Sequence, residues 1–108
     1  MMRRVAIFVA AVAGAAGAPA QDAAAGKSRA AACAVCHGAT GIGVAPDAPN
    51  LAGQPAIYLS AQLKAYRDGT RRHEVMSVMA KPLTDADIAN LAAWFSSIRV
   101  EATPPAKP

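Results

Sequence analysis

Both cysteines of this 108-residue chain fall within one pentapeptide, Cys33-Ala34-Val35-Cys36-His37. That spacing limits what the chain can become more than any other feature. A bridge between two thiols so close together closes a trivial loop and removes little entropy from the unfolded chain. The pair therefore does not act as the disulfide staple common in small exported domains. A thioredoxin-like redox pair needs a βαβ setting, and no strand-like alternation follows downstream. A zinc site needs more ligands than are at hand: His73 is the one other histidine, and there is no second cysteine pair.

The remaining reading is covalent attachment of a c-type haem, for which C-x-x-C-H is the signature. Two thiols at this spacing add across the two vinyl groups of the macrocycle and fix its plane by thioethers. The histidine directly after the second cysteine is then held under the iron, so His37 is expected to supply the proximal imidazole. One motif implies one haem c per chain. Attachment takes place after export, which makes the N-terminus a test of the reading.

Residues 1–20 meet that test. Arg3 and Arg4 precede an unbroken run of apolar and small residues, VAIFVAAVAGAAGA, which leaves through Ala18-Pro19-Ala20. A basic start, a short apolar run and an A-x-A exit make a secretory signal peptide. The run is too short, and too rich in alanine and glycine, to cross a hydrocarbon core of ~20 residues. Cleavage is expected after Ala20, so residues 21–108 form the mature chain and its site of action is the periplasm. The formal charge of +4 then falls to +2, with nine basic residues against seven acidic. A strongly basic binder of nucleic acid is no longer indicated. The mature chain is small enough that a core usually needs disulfides, metal or another staple.

The mature chain reads as all-α. Gln21–Ala32 is alanine-rich with good helix propensity, and Asp22 stands near its start. His37–Gly53 holds four glycines, Gly53 included, and two prolines, a density that predicts a long irregular loop. Pro55–Asp68 predicts a helix: proline suits its first turn, Leu59, Leu63 and Tyr66 share a face, and Gly69 stands where a C-terminal cap belongs. Thr70–Pro82 is expected to be mostly non-helical. Thr84–Ile98 predicts the clearest helix, with Thr84 as cap, Asp85 and Asp87 in the first turn, and Ile88, Leu91, Ala92, Phe95 and Ile98 at helical spacing. Residues 101–108 form a proline-rich tail expected to be disordered.

These pieces resemble a class I c-type cytochrome, and within that class the single domains of the cytochrome c4/c553 group. The resemblance rests on Asn50-Leu51-Ala52-Gly53-Gln54, Tyr58-Leu59, Gln62-Leu63 and Gly69-Thr70-Arg71, and on Leu83-Thr84-Asp85 leading into Asp87-Ile88-Ala89 and Leu91-Ala92. It covers nearly all of residues 22–98. Cytochromes c4 proper carry two such domains and two haems, whereas this chain has one motif. The resemblance implies a fold of three to four short helices wrapped around the haem, occupying residues 21–100. It implies that Gly26 is the small residue where the first and last helices cross, with Leu91 and Trp94 packed against it. It also implies that the carbonyl of Pro49 accepts the proximal imidazole N–H, a contact that sets ring orientation and ligand basicity.

The distal ligand must come from Met76, Met79 or His73. Residues 76–83 align without gaps on the family segment whose ligand lies seven residues before the leucine preceding the last helix. That position is Met76, with Met79 the runner-up and His73 read as part of a solvated stretch. Such ligation raises the reduction potential and leaves no open position for a substrate. The function implied is therefore an electron carrier between redox proteins, a monomer and not an enzyme, which does not span the membrane once the signal is removed. Arg67, Arg71, Arg72 and Lys81 are candidates for a basic steering rim. The alternative is a dedicated cytochrome subunit of a periplasmic dehydrogenase or oxidase. A third class, an enzyme or gas sensor with an open distal site, differs from both in binding carbon monoxide readily.

Overall fold

The computed structural model describes residues 7–14 and 21–107. Of residues 1–20, the 7–14 stretch has no regular structure and is exposed, whereas the expected exit at Ala18-Pro19-Ala20 lies outside the described residues. Five α-helical segments follow in chain order: α1 Ala23–Arg29, α2 Ala34–His37, α3 Ala56–Asp68, α4 Met76–Ala80 and α5 Asp85–Ser97. There is no strand among the described residues.

Asp22 starts α1 by accepting hydrogen bonds from the backbone N–H groups of Ala24 and Ala25, which satisfies donors that have no partner inside the helix. The alanine-rich stretch then tightens into a 3-10 turn, Ala30–Cys33, before α2 resumes. The expected single N-terminal helix is thus three short pieces with one continuous helical path.

The last helix is capped as its sequence requires. Thr84 Oγ1 accepts from the Asp87 N–H at 3.1 Å, and the Asp87 carboxylate accepts from the Thr84 N–H at 3.0 Å. Ile88, Leu91, Ala92 and Phe95 form its buried face. The middle helix ends at Gly69, whose φ of +83° is open to glycine but strained for a side chain.

α1 crosses α5, α3 packs on α5, and α4 packs on α3. At the α1–α5 crossing a Cβ on Gly26 would run into the backbone carbonyl of Asn90 and the Cβ of Trp94. Only glycine allows that approach, and the Asp22 N–H seals it by donating to Asn90 Oδ1 at 2.9 Å. Half of the buried apolar residues are alanines: Ala30, Ala52, Ala80 and Ala92. The protein's own side chains therefore make a thin core.

Thr70–Pro82 is mostly non-helical, as its sequence predicts, and holds one short helix, Met76–Ala80. So short a helix shows too little periodicity to be read from sequence, and its start is stabilised by a side chain outside it, described below.

Candidate haem-binding site

α1 and the 3-10 turn deliver Cys33, and α2 carries Cys36 and His37. Along a helical path, residues three apart share a face, so the two thiols are presented together. Both are free and half-buried. Burial pushes the Cys33 thiol above its ordinary range, and Arg29 partly offsets the shift. His37 is the one buried polar side chain among the described residues, 7% exposed.

The loop after the motif is irregular but extensively hydrogen-bonded. Val44 and Ala45 donate their N–H groups to the Cys36 carbonyl, at 2.9 and 3.1 Å. Leu51 and Ala52 donate to the Gly41 carbonyl, and Gly53 donates to the carbonyl of Phe95 in α5. Asn50 Oδ1 accepts from the Gly43 N–H at 2.8 Å. Held in this way, the loop brings the Pro49 carbonyl oxygen 2.8 Å from Nδ1 of His37. The oxygen accepts, so the imidazole proton lies on Nδ1 and Nε2 is the nitrogen left to face a metal.

These donors fit a covalently held haem. Two thiols share one face, and a buried imidazole is oriented through its far nitrogen. No three His, Cys, Asp or Glu side chains come together among the described residues. Met76 stands apart from this cluster as the first residue of α4, half-buried, whereas Met79 is 40% exposed.

His73 lies in an exposed stretch, residues 71–75, as expected, but its ring is engaged. Its Nδ1 accepts from the backbone N–H groups of Val75 and Met76, both at 3.2 Å. Its own N–H donates to Ser77 Oγ at 3.0 Å. No sequence signal marks this role, because histidine is not among the favoured capping residues. With Tyr66, Arg72, Glu74, Ser77 and Lys81 it borders an open cleft of about 570 Å³, which shares no lining residue with the Cys33–His37 segment.

The expected basic rim is reduced. Arg67 reaches the Asp85 carboxylate at 2.8 Å and donates to the Leu83 carbonyl at 3.1 Å, so it ties α3 to the start of α5. Arg71 donates to Gln62 Oε1 at 2.6 Å and lies over the Tyr66 ring. Both of these partners are neutral, so Arg71 keeps its charge and remains with Arg72 and Lys81.

The family profile for cytochrome c matches residues 23–99. The chain is 51% identical over 79 residues to cytochrome c-554(548) of Halomonas halodenitrificans, covering 70% of this chain and 95% of that one. It is 44% identical to a thiosulfate dehydrogenase electron acceptor of Thiomonas intermedia (79% of this chain, 40% of the other) and 46% identical to cytochrome c4 of Pseudomonas aeruginosa (70% and 38%). It thus spans about 40% of the length of these last two relatives. The crystal structure of reduced cytochrome c4 from Pseudomonas stutzeri superposes with a TM-score of 0.69 at 39% identity, over 74% of this chain and 47% of that one. An all-α frame, a C-x-x-C-H segment with a buried histidine, and relatives of these kinds agree: the chain belongs to the cytochrome c family, electron-transfer proteins that hold haem c covalently.

Proposed function

We propose that this chain is a periplasmic monohaem electron carrier in which Cys33 and Cys36 form the two thioethers, His37 is the proximal iron ligand and Met76 the distal one. When bound, the haem supplies an iron that accepts and releases single electrons between its ferric and ferrous states. The chain's own residues hold that iron in place. The Pro49 carbonyl keeps the His37 ring in one orientation and tautomer, and so raises its basicity as a donor. A thioether from Met76 is a soft, neutral donor that favours the ferrous state.

The observation that carries this reading is the 2.8 Å contact between His37 Nδ1 and the Pro49 carbonyl within a contiguous attachment motif. For the distal side, the half-burial of Met76 beside an exposed Met79 supports Met76. The oxidised protein is expected to show the long-wavelength methionine–iron absorption band. Met76→Ala should abolish it and Met79→Ala should leave it, while the opposite pattern moves the ligand to Met79. Ready binding of carbon monoxide by the native ferrous protein at neutral pH would point instead to an open distal site.

Export by cleavage after Ala20 belongs to the same proposal, and no helix among the described residues is long and apolar enough to cross a membrane. A mature N-terminus at Gln21, read by mass, is the expected result. A second reading has its own support: two relatives, 44% and 41% identical, are named thiosulfate dehydrogenase electron acceptors. If this chain too serves one dehydrogenase, a stoichiometric partner should co-purify with it.

A further inference from the structure

Nδ1 of His73 accepts from the N–H groups two and three residues ahead, the same pattern by which Asp22 caps α1. The His73 carbonyl also accepts the Ser77 N–H at 3.0 Å. His73 is thus the residue on which the helix carrying Met76 starts. Accepting at Nδ1 puts the ring proton on Nε2 and leaves the imidazole neutral; the Asp47 carboxylate, 3.8 Å from Nε2, is beyond hydrogen-bond reach.

We propose that His73 is a positioning residue for Met76, its ring holding the backbone N–H groups of Val75 and Met76 where the methionine helix begins. This rests on the reading of Met76 as distal ligand. Nδ1 of one imidazole then fixes where the distal thioether starts. A five-residue helix has few internal hydrogen bonds of its own, so satisfying two of its leading N–H groups is a large share of its local stability. Loss of the cap lets Met76 leave the iron more often, and an added ligand can then take its place.

The test uses the haem-loaded ferric protein and two readouts, the methionine–iron band and the affinity for added imidazole. His73→Ala should bind imidazole about fivefold more tightly, the scale of one lost helix cap, and show a weaker band. His73→Asn should return both readouts close to wild type, because an amide oxygen at that position accepts from the same N–H groups. If His73→Ala leaves band and affinity unchanged while Met76→Ala loses the band, the positioning role is wrong and the ligand assignment stands. A band that survives in Met76→Ala removes the ligand assignment and this inference together. Equal loosening in the Ala and Asn variants rejects the capping role. Should His73→Ala not load haem, His73→Asn and His73→Ser decide the matter: both keep an accepting oxygen and should hold band and affinity close to wild type, and loosening in both rejects the role.

Discussion

Gly26 shows how much one hydrogen atom in place of a methyl can decide. The crossing of α1 and α5 leaves no room for a Cβ beside the Asn90 carbonyl and Trp94, and a backbone carbonyl cannot swing aside as a flexible side chain can. Gly26→Ala should therefore force the helices apart and destabilise the haem-loaded protein by about 1–3 kcal/mol, the usual cost of overpacking. A denaturant midpoint equal to wild type would show that the crossing is looser than drawn. The residues of the attachment motif were legible in the sequence because their chemistry requires adjacency. The role of His73 was not, because capping by imidazole has no sequence signature. The ties of Arg67 were not legible for a related reason: its contacts with Asp85 and the Leu83 carbonyl exist only once α3 and α5 have packed.

Among the elements, α5 is the one whose start is most fully specified. Thr84 and Asp87 satisfy each other's backbone N–H groups, and Thr84→Ala should cost about 1 kcal/mol. The hydrogen bond from the Thr84 backbone is the main cause that holds the Asp87 carboxyl below its ordinary range, with the Thr84 hydroxyl hydrogen bond and Arg29 adding to it and desolvation opposing. A group whose pKa is lowered by folding stabilises the protein at pH above its unfolded value. That contribution is lost as pH falls through the lower folded value. Thermal stability should thus decline on the acid side of the ordinary carboxylate range, and Asp87→Asn should flatten that decline. An acid limb unchanged in the variant would assign it to other carboxylates. α3 and α5 were readable because caps and periodicity are local and extend over several turns. α4 was not, since five residues carry less than two turns of pattern.

Considered as a whole, the molecule buries few large side chains; among the described residues the largest side chain fully enclosed is Ile88. A haem of the family's kind is itself a large apolar body, and it would complete a frame whose buried apolar residues, among those described, are half alanine. Charge on the surface follows the same economy. With Arg67 paired to the Asp85 carboxylate, long-range steering of an anionic partner falls to Arg71, Arg72 and Lys81. The contacts of Arg71 with Gln62 and Tyr66 are to neutral groups and leave its charge uncompensated. Oxidation of the ferrous protein by ferricyanide should slow as salt is added. Replacing Arg72 and Lys81 by Gln should lower the low-salt rate by about two- to threefold, less than a charge-lined cleft provides, whereas Arg67→Gln should leave the rate nearly unchanged and lower stability. Rates indifferent to ionic strength would reject steering by this surface.

The hydrogen bond between Asp22 and Asn90 joins residues 68 positions apart, and so closes residues 22–90 into a ring. Bringing the ends of a free chain of that length together costs about 4 kcal/mol in loop entropy, before any constant term. Under the proposed ligation, a tie between the Cys33–His37 segment and Met76 has already closed the middle of that ring. What remains is 11 residues on one side, from Asp22 to Cys33, and 14 on the other, from Met76 to Asn90. The meeting of the first and last helices then becomes a short-range event that depends on a bond at the iron. Release of Met76 should be felt at Gly26, on α1, as a slackening of two helices that carry no iron ligand beyond the attachment motif itself.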